Sequence, residues 1–557
     1  MFKSPLAWFL FTAGIAAAQP VVGPLEQSSD PPIPAPLGGG YRSRAPLGQV
    51  NIDANGMNII GDAANEPSLA VDPTAPNRIA IGWRQFDSVA SNFRQAGRAY
   101  SRDGGRTWTN PGPLDPGNFR SDPCLRADNS GNIYYCSLAG PDTLVTSIFV
   151  SSDGGATFVG PFPSFGGDKQ WLAIDDTDQD SEGTQYQHWS TAFSRSFDQG
   201  RDWTNPLSGV IPVWGVNSVG PTGTLYVAGV PSPGAGNPIR VARSSNASNP
   251  AVTPTFLSAN VNLGGSQRFS VSNGPNPVGL LGQVWVDTDH SNGPRAGWVY
   301  VLCSVSAGTD PLDVMLNRST DGGQTWLSTP IRVNPDPPNA NSWQWFGTMS
   351  VAPTGRIDVV YNSTQESLNP HLSRTYYTSS SDGGNTWSTP LALTPQWDSW
   401  AGFPNQNKIG DYYDLHSDAV GADLAFTTTL NGEEDVYYLR LGSYDCNRNG
   451  VPDETDIASG AAADCNANGI PDSCEIAADP SLDLNHDGVP DSCQRFCSAD
   501  FNHDGNVGTD ADIEAFFACL AGTCCPTCGS ADFNGDGNTG TDADIASFFR
   551  VLGGGAC

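Results

Sequence analysis

From residue 62 to residue 443 the apolar positions fall in short runs, broken every few residues by Gly, Pro, Asn or Asp. EPSLAVDP, RIAIGWRQ and AYSRDGG follow one another between Glu66 and Gly105, and DPCLRADNSGNIYYCSL runs from Asp122 to Leu138. Short runs bounded by turn residues and rich in aromatic and branched side chains predict β-strands. They group into units of a first strand ending in Asp or a turn, an aromatic-rich second strand, and a third leading into a Gly-rich turn. Units open near Glu66, Asp122, Asp168 (DKQWLAIDD), Val216, Gln283 (QVWVDT), Trp345 and Gly410 (GDYYDL), 46 to 67 residues apart by direct count. A sheet of three or four short strands cannot bury both faces alone, whereas radially arranged sheets cover one another. The pattern therefore predicts a mainly β protein with a multi-bladed β-propeller over residues 62–443. Seven blades is the direct count, and six follows if one unit is an insertion.

The turn after the third strand recurs almost unchanged. It reads SRDGGRTW at Ser101–Trp108, SSDGGATF at Ser151–Phe158, SFDQGRDW at Ser196–Trp203, STDGGQTW at Ser319–Trp326 and SSDGGNTW at Ser380–Trp387. The unit near Val216 carries a degenerate copy around Arg243–Asn246, and the last unit, ending DVYYLRLG at Asp435–Gly442, has none. The Asp can accept turn amides, the second Gly supplies a positive φ, and the terminal aromatic fills the gap under the turn. The pattern S-x-D-x-G-x-T-W resembles the Asp-box of sialidases and related propellers. The resemblance implies a folding device away from any active site, and implies six blades if the chain follows true sialidases.

Composition agrees with a turn-rich β protein: 63 Gly, 44 Pro, 15 Trp and only 15% charged residues. The net charge is −31 and the chain has three lysines, which excludes nucleic acid as an expected partner. Lys3 followed by an apolar stretch from Leu6 to Ala18 predicts a secretory signal peptide over residues 1–18, and hence a secreted or cell-surface protein. Residues 19–61 read as a Pro/Gly-rich linker. No later segment is long and apolar enough for a transmembrane anchor.

After Tyr444 the period changes. Residues 445–557 carry 20 acidic residues and 3 Arg, a net of −17, and 10 of the 13 cysteines. Three loops repeat at 19-residue spacing: Asp445, Asn447, Asn449 and Asp453; Asp464, Asn466, Asn468 and Asp472; Asp483, Asn485, Asp487 and Asp491. Oxygen side chains at positions 1, 3, 5 and 9, with Gly at 6, have the ligand spacing of a Ca2+ loop. Position 12 is Asp456, Glu475 and Gln494 in turn. Residues 445–494 resemble thrombospondin type 3 calcium repeats. Two further loops, Asp500, Asn502, Asp504 and Asn506, then Asp532, Asn534, Asp536 and Asn538, each run through TDADI into an apolar helix. Residues 497–557 resemble a dockerin of the cysteine-bearing anchoring kind, ending GGGAC. The usual twelfth ligand position holds Ala511 or Ala543, flanked by Asp510 and Asp512 or Asp542 and Asp544, so each loop is one residue longer or closed by a different carboxylate, with Asp512 and Asp544 the expected ligands. Ca2+ is the expected cofactor and disulfides the expected staples of a tail with short helices. Ten tail cysteines allow 945 full pairings, from 9×7×5×3×1. In the propeller, Cys124 and Cys136 flank one turn and could be bridged, which leaves Cys303 single.

The channel chemistry is expected on the first strand of each unit. Asp168 and Asp411 are a candidate carboxylate pair, Tyr412 a candidate nucleophile and Glu66 a further catalytic candidate. Arg84 and Lys169 are candidate anion clamps, and Trp171 and Trp345 candidate sugar platforms. The likeness to sialidases implies three arginines around a substrate carboxylate, a Tyr–Glu nucleophile and an Asp acid/base. The first arginine of that family sits in a Phe/Tyr-Arg-Ile/Leu-Pro motif; here the region reads Gly82-Trp83-Arg84-Gln85-Phe86, without proline. The favoured expectation is a secreted propeller that recognises extracellular glycan or protein, displayed on a cell-surface or matrix partner through its calcium-binding tail. The alternative is an active exo-sialidase-type hydrolase.

Overall fold

The computed structural model describes residues 47–140, 144–177, 181–483, 488–493, 498–525, 528–534 and 538–555. The expected signal peptide and most of the expected linker lie outside the described residues, as do Asn485, Asp487, Gln494 and Asp536.

Seven antiparallel sheets follow one another along the chain. Their innermost strands are Ala63–Val71, Arg120–Ala127, Trp171–Ile174, Asn217–Val219, Trp285–Thr288, Gln344–Val351 and Asp414–Ser417, so each opens within a few residues of a unit start read from the sequence. The count is seven, and the six-blade alternative is excluded. Side chains on the inner strands tie one blade to the next. Leu125 N donates to Ser68 Oγ (2.9 Å) and Ser68 Oγ to Asp414 Oδ2 (2.6 Å), which links blades two, one and seven. Val351 N donates to Asp287 Oδ2 (2.8 Å) across blades five and six.

The ring closes with a strand that the periodicity did not reveal. Gly48–Gln49 pairs with Tyr437 and Tyr438 on the outer edge of blade seven, and Val50 N donates to Val436 O (2.8 Å). Val50 is fully buried. The chain from residue 47 onward thus belongs to the propeller rather than to the linker expected over residues 19–61. Two paired residues are too few to show a period, and closure of the ring is a tertiary event.

The recurrent turns share one hydrogen-bond set. In the fourth copy, Ser319 Oγ donates to Asp321 Oδ1 (2.7 Å) and accepts from Gly323 N (2.8 Å), while Thr325 donates its amide and hydroxyl to the Asp321 carboxylate (2.8 and 2.6 Å). The third copy has Asp202 in place of Thr and keeps the amide bond alone (2.9 Å). In the degenerate copy Asn246 takes the role of the Asp, accepting from Ser244 Oγ (3.0 Å) and Thr255 N (2.9 Å). These turns tuck aromatics such as Trp108 against the neighbouring blade, 5.1 Å from Tyr438 of blade seven.

Cys124 and Cys136 stand opposite each other in register on neighbouring strands of blade two, but both are free, buried thiols, as is Cys303. The bridge considered from the sequence is not formed. Cys124 Sγ is engaged by Leu172 N (3.4 Å) and Cys136 Sγ by Gln187 Nε2 (3.3 Å) of blade three.

Among the described residues the tail carries four short α-helices, α1 (Asp453–Ser459), α2 (Asp472–Ala478), α3 (Asp510–Leu520) and α4 (Asp542–Leu552). Disulfides join Cys446 to Cys474 and Cys465 to Cys493, both 28 residues apart, so each of the first two loops is stapled to the repeat that follows. Cys519–Cys524 and Cys525–Cys528 are local. Phe501, Phe516, Phe533 and Phe548 form the core between α3 and α4. The second repeat and Tyr444 rest on blade one: Arg78 Nε donates to Ala478 O (2.8 Å), Arg102 pairs with Asp479 (3.0 Å), and the Arg106 guanidinium lies 3.9 Å from the Tyr444 ring.

Candidate functional site at the channel mouth

Each inner strand enters the channel through a bend. At that position five blades hold a non-glycine residue at positive φ: Glu66 (54°), Asp122 (47°), Lys169 (60°), Trp214 (64°) and Phe346 (55°). The other two hold Gly282 (157°) and Gly410 (100°). Register shifts accompany the bend between Asn65 and Ser68, Ser121 and Cys124, and Trp345 and Thr348. Left-handed backbone at a non-glycine residue is costly and is retained where the surrounding structure enforces it. In blades one, two and three the side chains placed this way are charged.

Those charges meet. Lys169 and Lys408 both bind Asp411 Oδ2, the latter at 2.6 Å, while Asp411 Oδ1 accepts from Leu280 N (2.7 Å). Lys408 also reaches Glu66 Oε1 (2.9 Å), and Arg84 Nε lies 3.2 Å from Glu66 Oε2. Arg84 donates to Asn65 Oδ1 (2.7 Å) and Gln406 Oε1 (3.1 Å). Asn65 in turn donates to Glu434 Oε2 (2.7 Å). Asp122 accepts from Ser121 Oγ, which in turn accepts from Arg94 Nε (2.9 Å). The loop before blade seven supplies Gln406 and Lys408 and so covers this cluster.

The protonation affinities diverge. Burial pushes the Glu66 carboxyl up to about 7 against the pull of Arg84 and Lys408. Burial acts on Asp411 in the same sense, but the two ammoniums override it and hold the carboxyl well below its ordinary value. Asp122 is also lowered, the fields of Lys169 and Arg84 outweighing burial, whereas burial raises Asp168. For Lys169, burial is outweighed by Asp411 and Asp168, and the ammonium is held charged. Tyr412 is raised well above the usual phenol range, by burial and by the charges of Glu66 and Asp122. Its hydroxyl donates to Pro123 O (2.7 Å).

Of the residues singled out from the sequence, Glu66, Arg84, Lys169 and Asp411 lie in one hydrogen-bonded cluster, with Asp168 and Tyr412 beside it. Trp171 sits beside Tyr412, edge-to-face at 5.1 Å, and is 1% exposed. Trp345 is buried in the core, donates its indole N–H to Ser373 Oγ (3.0 Å) and packs on Trp397, so it offers no platform to a ligand. Lys408, Arg94, Asn65 and Glu434 were missed. For Lys408 there was a signal: it is one of three lysines in the chain, and two of the three converge on one carboxylate.

In the tail, three of the first loop's expected ligands are joined by hydrogen bonds, and Asp453 is not among them. Asn447 and Asn449 both donate to Asp456 Oδ2 (3.0 and 2.8 Å), and Asp445 accepts from the amides of Asn449 (3.1 Å) and Gly450 (2.8 Å). The Asn447 and Asn449 side-chain oxygens accept from the amides of Asn449 (3.0 Å) and Val451 (2.7 Å), and oxygens of this kind are the hard donors that suit Ca2+. The second loop repeats this with Asp464, Asn466, Asn468 and Glu475. Asp453 and Asp472 face away, each accepting from the amide of the loop cysteine (2.9 and 3.0 Å). In the third loop Asp483 accepts from Gly488 N (2.9 Å). In the fourth, Asp500 accepts from Gly505 N (3.0 Å), and the Asn506 amide group donates to Asp504 (3.1 Å). Asp512 and Asp544 cap α3 and α4 through Thr509 and Thr541, and also accept from the loop amides of Asn502 (3.2 Å) and of Phe533 and Asn534 (2.8 and 3.3 Å). They fasten loop to helix.

Fold and site together define a seven-bladed β-propeller with a buried charge cluster on its inner strands and a disulfide-rich, acidic tail. No protein-family model matches the chain, and no curated protein matches it. Among solved structures it is similar to a protein of unknown function from Dyadobacter fermentans DSM 18053, at 15% identity and a TM-score of 0.40, covering 72% of this chain and 99% of that one. It is similar to the Hadza microbial sialidase Hz136 at 14% identity and a TM-score of 0.35, covering 68% and 66%. A third is the α-L-arabinofuranosidase Arb93A from Fusarium graminearum, in complex with an iminosugar inhibitor, at 10% identity and a TM-score of 0.37, covering 72% and 98%. At these values the similarity is one of fold and says nothing of the chemistry at the mouth.

Proposed function

We propose that the chain is an extracellular recognition protein. Its propeller binds glycan or protein at the charged mouth, and its tail holds Ca2+ and carries the anchoring surface to a cell-surface or matrix partner. The observation that supports recognition over sialoside cleavage is the internal pairing of the mouth. Lys169 and Lys408 are paired with Asp411 and Glu66, Arg84 with Glu66, and the Tyr412 hydroxyl donates to a backbone carbonyl. A substrate carboxylate that engaged Lys169, Lys408 or Arg84 would have to break a buried pair, and uncompensated buried charge is costly, whereas Arg94 is held by Ser121 and Asn92 without an ion pair. In the tail, the first two loops offer four oxygen-bearing side chains each, the donor chemistry of Ca2+.

The alternative reading is hydrolysis. It draws on the divergence of Glu66, raised to about 7, from the lowered Asp411 and Asp122, a pattern that separates acid from base in carboxylate enzymes. One assay decides between them. The full-length protein incubated with a fluorogenic sialoside is expected to release no fluorophore above blank. Release that disappears in both Glu66→Gln and Tyr412→Phe would overturn the recognition reading.

A further inference from the structure

We propose that the recurrent turn of blade one is a latch for the second tail repeat, and that Ca2+ in that repeat's loop closes it, locking tail and propeller together. The proposal rests on the reading of the second loop as a Ca2+ site. Of the five S-x-D-x-G turns, only the first carries arginine at both variable positions, Arg102 and Arg106; the others hold an uncharged residue at the first of them. Where that second position is Gln324 or Asn385, the carboxamide donates to the carbonyl of the turn Asp (2.8 and 2.7 Å), and Arg106 Nη1 makes the same bond to Asp103 O (2.6 Å). A carboxamide therefore serves the turn. The guanidinium adds a second nitrogen, and that one points at the tail.

Arg106 Nη2 reaches Gly469 O (3.4 Å), at position 6 of the second loop. Arg102 pairs with Asp479 (3.0 Å), and Arg78 Nε donates to Ala478 O (2.8 Å), the last residue of α2. The propeller thus holds the repeat at both ends, by the loop and by the end of the helix that follows it. An arginine at a helix C-terminus meets free carbonyls and the negative end of the helix dipole. α2 also carries Glu475, the position-12 carboxylate expected to close the loop on Ca2+. Glu475 lies about one helical turn before Ala478 and Asp479, so whatever fixes it fixes them.

Between turn and loop lies a cavity of about 690 Å3, with Tyr100, Arg102 and Arg106 on one side and Asn468, Ile470 and Glu475 on the other. Ile470 packs on Cys446 and Cys474 within the tail. The arginines therefore reach the repeat by polar contacts around an open space, and such contacts depend on the alignment of their acceptors. The carboxylates near the two arginines are Asp479, Glu475 across the cavity, Asp453 of the first loop, and Asp103, which is used inside the turn by Ser101 and Thr107.

Glu475 accepts from Asn466 (3.2 Å) and Asn468 (2.7 Å). A cation that drew the loop oxygens and Glu475 together would fix the start of α2 against Gly469, and so set all three acceptors on the spacing of the arginines. Without it, the disulfides Cys446–Cys474 and Cys465–Cys493 keep the repeat close to the turn but leave its alignment free. Docking and Ca2+ binding at this loop should then tighten each other by the same factor. Partly exposed ion pairs contribute a factor of about 1.5–5 each, so the two arginines together should be worth about three- to tenfold.

The test titrates the full chain with Ca2+ and follows amide exchange over residues 464–479 and, in the same samples, over residues 500–512 of the fourth loop. In the native chain both segments should gain protection as Ca2+ rises. The variant carries Arg102→Ser with Arg106→Gln, residues that other copies of the turn already hold, so the turn keeps its own bonds. Its midpoint over 464–479 should move to about three- to tenfold higher Ca2+, with 500–512 unmoved and the propeller melt still cooperative. Arg201→Gln, the matching change in the third turn, should move neither segment. An unmoved 464–479 midpoint in the double variant would overturn the latch alone, as would an equal shift over 500–512 or an equal shift from Arg201→Gln. No response to Ca2+ in either segment of the native chain would instead overturn the Ca2+ reading, and the latch with it.

Discussion

The seam between blades seven and one should make this propeller more stable in mild acid than at neutral pH, and one substitution should remove part of the effect. Asp62 is 2% exposed; its Oδ2 accepts from Gln85 Nε2 (2.7 Å) and Asn51 Nδ2 (3.5 Å), and its Oδ1 has no partner. Burial, with the neighbouring Asp435 adding to it, pushes Asp62 up to about 7, and burial pushes Asp435 to about 6. Both are raised above an unfolded value near 3.8. The folded state thus holds protons that the unfolded state has lost, and the stability they contribute is complete below about pH 4 and is lost as pH rises through about 7. Each tenfold change in proton affinity is worth about 1.4 kcal/mol, so the Asp62 displacement is at most about 4 kcal/mol. Partial hydration of the carboxyl reduces the expected figure to about 1–3 kcal/mol. Asp62→Asn keeps an oxygen for Gln85 and places an N–H where the unpartnered oxygen stood. At pH 8 it should raise stability by about 1–3 kcal/mol, or a few degrees in Tm for a domain of this size, and at pH 4.5 it should change little. Urea and thermal melts in saturating Ca2+ at the two pH values measure this. A variant less stable than the parent at pH 8, or gaining equally at both pH values, would refute the seam as the source.

Ser319→Ala removes the hydroxyl that joins Asp321 to Gly323 in one recurrent turn and should cost about 1–2 kcal/mol in urea melts, with binding at the mouth unchanged. Lys408→Met leaves Glu66 and Asp411 short of a shared counter-ion and should destabilise by about 3–5 kcal/mol; adding Glu66→Gln should recover part of that loss in a double-mutant cycle, and strict additivity would argue against the pair. Chelating Ca2+ should speed amide exchange across residues 445–557 while the propeller changes much less. Asp500→Ala with Asp532→Ala should abolish the response of the last two loops and leave the 19-residue repeats responsive, and identical exchange with and without Ca2+ would remove the case for calcium loops.

The amino-acid sequence by itself determined the blades and the turns. Strand period, the spacing of unit starts and the S-x-D-x-G pattern are local properties, because side-chain alternation and turn hydrogen bonds are settled within a few residues. The tail loops are local in the same way, with Asn447 and Asn449 donating to Asp456 within one loop. Tertiary structure decided what local pattern cannot carry. Gly48–Gln49 closes the ring against a strand nearly 390 residues away, and its two residues carry no period. Cys124 and Cys136 remained thiols, since sequence spacing does not fix bond formation between facing cysteines. Trp171 and Trp345 were equivalent candidates in sequence, yet one meets the channel and the other the core, because which strand face turns inward depends on the bend where each strand enters. Likewise Lys408 and Arg448 sit in loops whose direction depends on the completed ring. Their charges reach the channel because seven blades bring its two ends within reach of chain segments far apart in sequence.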